Sequence, residues 1–591
     1  MTVLRERFEA AALPLAAVAT LALLTLLFYY PVGRVLSEAV LREGRLTVEP
    51  LVAVLTDPFF FGVLAQAAEN PSVLWTAFEP HRIGPIVVPF PDYRLGLFGF
   101  TAYQALLSTL ASVALGLPGA YVLARFEFPG RKTVRSLTAV PFVMPSIMVA
   151  IGFIATFGAN GFVNDALAAL GLPRIELLYT LPIIVLAHAF YDAPLVARVT
   201  ATAWESVDAG TAETARSLGA SPRRAFLDVV LPQLLPAILT GALLTFIFSF
   251  MSFAIVLALG GLSLATVEVW VYHKVSQLDY ATASALATLE MLFSLVLTYA
   301  YLRYEARQRA ESAARPAPRK QLIGRLDLDR LVVWAYVAVA LLVFVTPMAS
   351  MIVESVTGPN GFTLDYYRFL VDRQATAASF QIKPLTAVQN SLLYGVASLV
   401  IAVPMGVLLA VVSTRDVPGS KLVDTLSMAP FAVSGVVVGL GLLRGLVFGT
   451  SAFGYRFTVT GAVVVVAAHA VGAYPFVTRN VAPLLATIDR SVVESARTLG
   501  ASRFRVLLDI ELPQVFVGVV AGAAFAFAIS IGEFDSTVIL ASGSSAYTMP
   551  VAIERFLGRR LGPATAMGCV LLFVTAVSFL VIDRLGEGRG M

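Results

Sequence analysis

Long apolar runs separated by short polar stretches make up most of this 591-residue chain. Because a bilayer core is about 30 Å thick, a membrane-spanning helix needs about 20 apolar residues. About twelve runs approach or exceed that length, and they lie near 10–30, 101–124, 134–157, 180–203, 235–259, 281–302, 331–353, 386–412, 422–448, 460–483, 515–541 and 563–583. The pattern therefore predicts an all-α polytopic membrane protein in a lipid bilayer.

The composition supports this class and excludes several others. Hydrophobic residues make up 58% of the chain, charged residues make up 14%, and the mean hydropathy is +0.82. The net charge of +4 does not call for a nucleic-acid partner, because the basic residues mostly flank apolar runs. The single cysteine, Cys569, excludes an internal disulfide and a cysteine metal cluster. The histidines and acidic residues show no catalytic or metal-binding spacing, so we expect neither kind of site.

The basic residues also predict how the chain is oriented. They cluster at 125–135, at 303–330 and in two polar loops that contain Arg216 and Arg497. Because basic loops stay on the cytoplasmic side, these segments and both termini are predicted to be cytoplasmic. The segments 31–100 and 354–385 then face outward. We therefore expect a multi-pass protein of the cell membrane.

One polar stretch occurs twice. The first copy, from Glu213 to Pro232, reads ETARSLGASPRRAFLDVVLP, and the second, from Glu494 to Pro513, reads ESARTLGASRFRVLLDIELP. Four further pairs keep the same offset of 281 residues: His188 and His469, Pro194 and Pro475, Arg198 and Arg479, and Asp208 and Asp489. The duplication predicts two parallel six-helix repeats at 1–302 and 331–591, joined by a charged cytoplasmic linker at 303–330.

Each copy is predicted to form a helix, an elbow and a second helix, in loops near 204–232 and 484–513. Gly219 and Gly500 suit the left-handed conformation that ends a helix. The serines two positions later offer N-caps for the next helix. Pro232 and Pro513 are predicted to break that helix before the next membrane segment. Such an amphipathic element at the membrane surface suits a groove on a partner protein.

The repeated pattern resembles a known motif. Glu-x-Ala-x-x-x-Gly, nine residues and then aliphatic-x-Leu-Pro is similar to the EAA loop in permeases of binding-protein-dependent ABC importers, the MetI-like family. In that family the loop is the coupling helix that docks on the ATPase. The resemblance implies these coupling residues: Glu213, Ala215, Gly219, Pro232, Glu494, Ala496, Gly500 and Pro513. Thr214 and Ser495 depart mildly from the middle alanine of the motif.

The resemblance also implies partners. The chain contains no Gly-x-x-x-x-Gly-Lys-Ser/Thr phosphate-binding loop, so we expect a transport subunit that binds no cofactor and is not an enzyme. Two copies of a separate cytoplasmic ATPase would bind ATP and Mg. An extracytoplasmic substrate-binding protein would dock over 31–100 and 354–385.

The substrate is suggested by a narrower resemblance. Permeases with both halves in one polypeptide resemble the ferric-iron and thiamine importers. The runs at 250–261 and 265–272 look most like thiamine permeases, which implies thiamine, with ferric iron as the alternative. A secondary transporter driven by an ion gradient is the rival from another class, since it can also have six plus six helices. It would need neither an ATPase nor an elbow. A membrane-embedded enzyme is a third and more distant interpretation, because no catalytic cluster supports it.

Ionisable residues lie within several apolar runs, among them Asp192 and Glu290. The candidates for a functional role are His188, His469, Glu533 and Asp535. Ionisable groups at membrane depth are costly and often functional. One interpretation places them on the translocation path, where Glu533 and Asp535 would help a cationic substrate to pass. The alternative is that they form hydrogen bonds between helices or lie near an interface.

Overall fold

The computed structural model describes most of the chain. It covers residues 2–587 except 43–44, 63–64, 66, 68–71, 73–77, 84–85, 92–94, 139–143, 308–317, 325–326, 377–380, 416–418, 453, 542 and 544–545. Much of the predicted linker, at 308–317 and 325–326, therefore lies outside the described residues.

Helices account for nearly all of the regular structure. In the first half, the α-helices are Thr2–Leu24, Tyr30–Val40, Glu49–Thr56, Pro58–Phe61, Gly96–Arg125, Arg131–Leu137, Ser146–Phe157, Phe162–Ala169, Leu181–Glu205, Ala209–Ser217, Pro222–Ala225, Leu231–Phe250, Ala254–Gly260, Val267–Ser276 and Tyr280–Arg307. In the second half they are Leu328–Ser355, Asp365–Thr376, Pro384–Thr414, Ser420–Ser427, Gly435–Leu442, Ala462–Ala486, Arg490–Thr498, Arg503–Val506, Leu512–Gly532, Thr537–Leu540, Met549–Leu557 and Leu561–Glu587.

Short strands form five two-stranded pairs in the described residues. Four are antiparallel: Leu41–Arg42 with Arg45–Leu46, Phe78–Ile83 with Ile86–Pro91, Thr357–Gly358 with Gly361–Phe362, and Thr450–Ala452 with Tyr455–Phe457. The fifth is parallel and joins Phe126–Glu127 to Lys320–Gln321.

Eleven helices in the described residues are long and apolar enough to cross a membrane, which confirms the predicted class. They are Ala11–Val40, Gly96–Arg125, Ser146–Ala169, Leu181–Glu205, Pro222–Phe250, Tyr280–Tyr304, Leu328–Ser355, Pro384–Thr414, Ala462–Ala486, Arg503–Gly532 and Leu561–Ser578. Length and apolar composition alone therefore located most of the predicted spans.

The predicted continuous span near 422–448 is wrong. This segment consists of the helix Ser420–Ser427, a 3-10 turn at Ala429–Ala432 and a new helix from Gly435. Pro430 has no N–H for an α-helical hydrogen bond. The Ser434 hydroxyl then accepts a hydrogen bond from the Val437 N–H at 3.2 Å and caps the next helix.

The chain forms two compact units. The amino-terminal unit comprises Val48–Gln277 and Leu292–Glu354. The carboxy-terminal unit comprises Met1–Thr47, Leu278–Met291 and Ser355–Met591. Each unit therefore contains most of one sequence repeat and a membrane helix from the other. The predicted boundaries 1–302 and 331–591 refer to the repeats, and they stay a prediction.

Each unit is built around a close pair of helices, and the two pairs occupy matching positions in the sequence repeats. In the amino-terminal unit, Gly116 of the helix Gly96–Arg125 packs closely on the helix Leu181–Glu205, and a Cβ there would lie 2.7 Å from the Ala193 carbonyl oxygen. In the carboxy-terminal unit, a Cβ on Gly406 would lie 2.8 Å from the Tyr474 carbonyl oxygen. Only glycine permits this approach of the backbones. The helix that follows each pair leads directly out of an elbow.

The exchanged helices are packed within their units. In the amino-terminal unit, Phe344 packs on Phe190 with ring centroids 5.6 Å apart. In the carboxy-terminal unit, the Tyr29 hydroxyl donates a hydrogen bond to the Leu426 carbonyl oxygen at 2.7 Å. The first membrane helix of each repeat thus contributes to the unit that holds most of the other repeat.

Candidate functional site

The first elbow follows the helix Leu181–Glu205. The Asp208 carboxylate caps the short helix Ala209–Ser217 by accepting a hydrogen bond from the Gly210 N–H at 3.1 Å. Gly219 ends this helix with φ +94°. The Gly219 N–H donates to the Arg216 carbonyl oxygen, and the Ala220 N–H donates to the Ala215 carbonyl oxygen, both at 3.0 Å. This pair of bonds is a Schellman motif.

The second elbow repeats this geometry in the other unit. The Asp489 carboxylate accepts a hydrogen bond from the Ser491 N–H at 2.9 Å, and this bond holds the pKa of Asp489 below its ordinary value. Gly500 has φ +91°. The Gly500 and Ala501 N–H groups donate to the Arg497 and Ala496 carbonyl oxygens at 3.0 Å. The left-handed conformation predicted for both glycines is confirmed.

The predicted serine caps are also confirmed. The Ser221 hydroxyl accepts a hydrogen bond from the Arg224 N–H at 3.3 Å, and the Ser502 hydroxyl accepts one from the Arg505 N–H at 3.2 Å. Both helices that leave the elbows therefore start at a side-chain cap. The direction of each of these helices is fixed within three residues of the glycine.

The prediction that Pro232 and Pro513 break the helix is wrong. A π-helical turn at Phe226–Val230, and one at Leu507–Glu511, joins each capped helix to the next membrane segment. The residue before each proline donates its N–H five positions back, Leu231 to Phe226 and Leu512 to Leu507. A π turn is wider than an α turn, so the proline ring follows it without ending the helix.

The surface of each elbow carries one large apolar side chain that is almost fully exposed. Leu218 is 84% exposed and Leu499 is 89% exposed, and each directly precedes the glycine. Glu213, Glu494, Pro232 and Pro513 are also exposed, whereas Ala215 and Ala496 are half-buried. The sequence analysis did not single out the leucines, although they occupy matched positions of the repeat.

The two histidines each connect helices within their own unit. His188 is 2% exposed, and its ring nitrogens lie 2.9 Å from the hydroxyls of Ser108 and Ser252. His469 is 1% exposed, and its ring nitrogens lie 2.8 Å from the hydroxyls of Ser530 and Thr537. This arrangement is the interhelix hydrogen bonding that the sequence left open. A role on the translocation path stays a prediction.

Glu533 and Asp535 lie beside the start of the broken helix. Glu533 accepts hydrogen bonds from the Ser536 N–H at 2.7 Å and from the Thr537 N–H at 3.1 Å, and it lies 3.4 Å from His469 Nε2. A Cβ on Gly435 would lie 2.8 Å from Asp535 Cβ and 3.5 Å from Glu533 Oε1. Helix starts carry partial positive charge, so this position favours carboxylates. Within the described ranges, no group of three or more His, Cys, Asp or Glu side chains is arranged to hold a metal.

Two helical repeats, each with the same exposed elbow, make this chain a two-repeat polytopic membrane protein. A family model described as the binding-protein-dependent transport system inner membrane component matches residues 115–310 and 402–589. These matches cover more than half of the chain, and the chain belongs to this family. It is a transport subunit and a multi-pass inner membrane protein.

Two proteins of known name resemble the chain along most of its length. The thiamine transport system permease protein ThiP of Brucella abortus (strain 2308) is 27% identical over 504 residues, which cover 85% of this chain and 89% of that protein. The ThiP of Escherichia coli (strain K12) is 27% identical over 516 residues, which cover 85% and 90%. A bacterial ABC transporter involved in importing the acidic polysaccharide alginate has a TM-score of 0.36 and 18% identity over 44% of this chain and 96% of that chain.

Proposed function

We propose that this protein is the permease of an ABC importer for thiamine. Two relatives that are named as thiamine permeases match 85% of the chain, including both repeats. This observation is the support for thiamine as the substrate. Ferric iron remains an alternative, but none of the relatives described above carries that name. The protein would move thiamine inward by alternating access between two states.

The two elbows are the proposed docking points for two copies of a cytoplasmic ATPase. Leu218 and Leu499 place apolar side chains in water directly before a rigid glycine turn. Burying a leucine side chain contributes about 1.5–3 kcal/mol, so a complementary groove on the ATPase would bind it well. ATP and Mg would be held by the ATPase, since the chain has no phosphate-binding loop motif.

The elbows would transmit movement because they are stiff at both ends. An aspartate cap, a Schellman motif and a serine cap fix the backbone of each loop. Each capped helix then continues through a π turn into a membrane helix. A shift of the docked ATPase would therefore tilt that helix directly. Both termini and both elbows would be cytoplasmic, and the binding protein would deliver its cargo on the opposite face.

The carboxylates Glu533 and Asp535 are the proposed contacts for a cationic substrate. Glu533 already accepts two backbone hydrogen bonds, which hold its carboxylate in place. Asp535 lies beside the same helix start. We propose that the pair attracts the positive charge of thiamine as it passes, while His188 and His469 keep the surrounding helices together.

The test is reconstitution with a candidate ATPase and a candidate substrate-binding protein from the same organism. Calorimetry first shows whether that binding protein takes thiamine or a ferric complex. In vesicles, the thiamine-loaded protein is expected to stimulate ATP hydrolysis and thiamine uptake. If only a ferric complex stimulates ATP hydrolysis and uptake, the substrate is ferric iron and not thiamine. Uptake that needs only an ion gradient would overturn the importer assignment.

A further inference from the structure

Glu205 is the centre of a charged cluster directly before the first elbow. Its carboxylate lies 2.5 Å from Arg131, 2.8 Å from Arg135 and 3.2 Å from Arg319. Glu205 is also the last residue of the membrane helix Leu181–Glu205, three positions before the Asp208 cap. The cluster therefore lies where the membrane helix turns into the coupling loop.

The three arginines come from two separate parts of the chain. Arg131 and Arg135 belong to the short helix Arg131–Leu137, and Arg131 also donates to the Leu123 carbonyl oxygen at 2.9 Å. Arg319 belongs to the segment between the repeats. The inter-repeat segment thus reaches Glu205 through a side chain of the stretch that was predicted to be a charged cytoplasmic linker.

The segment around Arg319 is attached to the amino-terminal unit by its backbone. Lys320 and Gln321 pair in parallel with Phe126 and Glu127, and the Leu322 N–H donates to the Glu127 carbonyl oxygen at 3.0 Å. Leu322 is 5% exposed and packs on Val122, Phe126 and Val333. Residues 318–322 therefore form a strap that is anchored directly after Arg319 by the strand pairing of Lys320 and Gln321 and by the burial of Leu322. "Strap" is used below for these five residues.

The same cluster reaches the other end of the elbow. Trp204, the neighbour of Glu205, stacks on Phe226 with ring centroids 5.7 Å apart and an interplanar angle of 26°. Phe226 begins the π turn through which the coupling loop leaves for the next membrane helix. Glu205 and Trp204 thus hold both ends of the first coupling loop.

The second coupling loop does not repeat the Glu205 and Trp204 side chains. The position that corresponds to Glu205 is Ala486, and the one that corresponds to Trp204 is Leu485. An ion pair lies at the other end of this loop, where Arg415 contacts Glu511 of the second π turn at 2.9 Å. The duplication has preserved the elbows while their supports differ. The Glu205 cluster is therefore particular to the first repeat and is not required by the fold that the two repeats share.

We propose that Glu205 and Arg319 are positioning residues for the first coupling helix, and that the strap takes part in coupling through the Arg319 side chain alone. The inference rests on the proposed function. Arg319 completes the set of three arginines that holds Glu205 at the point from which the first coupling helix starts, and it is the one that ties the strap to that point. Its charge therefore helps to set the orientation in which that helix meets the ATPase. Loss of the Arg319 charge would loosen the first elbow while the second stays as it is.

The experiment compares four variants in vesicles that contain the ATPase and the thiamine-loaded binding protein. The readout is thiamine taken up per ATP hydrolysed, together with co-purification of the ATPase. In Arg319→Gln and Glu205→Gln the ratio is expected to fall about fivefold, the lower end of typical coupling effects. Arg319→Lys keeps the charge and is expected to restore most of the ratio.

The matched control is Lys320→Gln. Lys320 is the neighbour of Arg319 in the strap and forms an exposed ion pair with Asp329 at 2.8 Å, without a contact to Glu205. We expect its ratio to equal that of the unsubstituted protein. An unchanged ratio in Arg319→Gln and Glu205→Gln, or an equal loss in Lys320→Gln, would overturn the inference. If the unsubstituted protein shows no ATP-driven uptake, the proposed function itself fails.

Discussion

Single residues show why both repeats contain a buried histidine. Each imidazole uses both ring nitrogens, and hydroxyl groups on neighbouring segments lie at hydrogen-bond distance from both of them. Burying a polar ring without hydrogen-bond partners would cost free energy, so each histidine and its two hydroxyl partners form one hydrogen-bonded group. The sequence indicated the histidines because they recur at one offset. It did not indicate Ser108, Ser252, Ser530 or Thr537, because such partners depend on helix packing.

His469→Ala is expected to destabilise the protein. The change removes two interhelix hydrogen bonds, each worth about 0.6 kcal/mol on average in a membrane protein, and it leaves a cavity. The melting temperature in detergent should fall, and His188→Ala should have a comparable effect. An unchanged melting temperature, with a raised KM for uptake, would place His469 on the substrate path instead.

Leu218→Asp and Leu499→Asp are expected to weaken ATPase binding. Both leucines are almost fully exposed in the described structure, so a charge there does not disturb a core. The aspartate would oppose burial in the partner's groove. Co-purification of the ATPase is the measurement, and Leu170→Asp, which is 75% exposed beside the helix Phe162–Ala169, is the control. Equal ATPase recovery from all three variants would contradict the docking surface.

Among the elements, the elbows were predictable and the helices around them were less so. Gly219 and Ser221 act through their own backbone and nearest neighbours, so local sequence predicts them. The π turns at Phe226–Val230 and Leu507–Glu511 depend on how the chain accommodates the proline that follows. Hydropathy likewise predicted a span near 422–448, because it registers apolar length and not the break at Pro430.

Gly500→Val is expected to uncouple transport from ATP hydrolysis. A Cβ at Gly500 would meet nothing within 4 Å, so the cost arises from φ +91° alone. An L-residue in that conformation costs about 1–2 kcal/mol, and more for a β-branched side chain. Uptake per ATP hydrolysed should fall.

The control for this change is Gly472→Val. Gly472 lies in the helix Ala462–Ala486 and also has open space at its Cβ, but it has an ordinary helical backbone. Its ratio of uptake to hydrolysis should stay near that of the unsubstituted protein. An equal loss in the two variants would show that any added side chain harms the protein.

At the scale of the whole molecule, the sequence repeats and the compact units divide the chain differently. Each unit includes a membrane helix from the opposite repeat: Leu328–Ser355, apart from its last residue, in one, and Ala11–Val40 in the other. The repeats are visible in the sequence because they share residues at a fixed offset. The exchange of helices leaves no such signal, since an apolar helix surface does not specify which other helix packs on it.

Separately expressed repeats should therefore depend on each other. We expect fragments 1–302 and 331–591 to be unstable alone and to co-purify as a stoichiometric complex when they are expressed together. The reason is that each compact unit would lack a helix without the other fragment. Tagging one fragment and measuring recovery of the other tests this. Two fragments that are each monodisperse alone, with full thermal stability, would contradict it.

The central claim is that ATP hydrolysis by a separate ATPase drives uptake through the two elbows. The most direct measurement follows labelled thiamine and ATP hydrolysis in the same vesicles, for the unsubstituted protein and for the double variant Gly219→Val and Gly500→Val. We expect uptake only with ATP, and hydrolysis without uptake in the double variant. Uptake without the ATPase, or an unchanged ratio of uptake to hydrolysis in the double variant, would contradict the account.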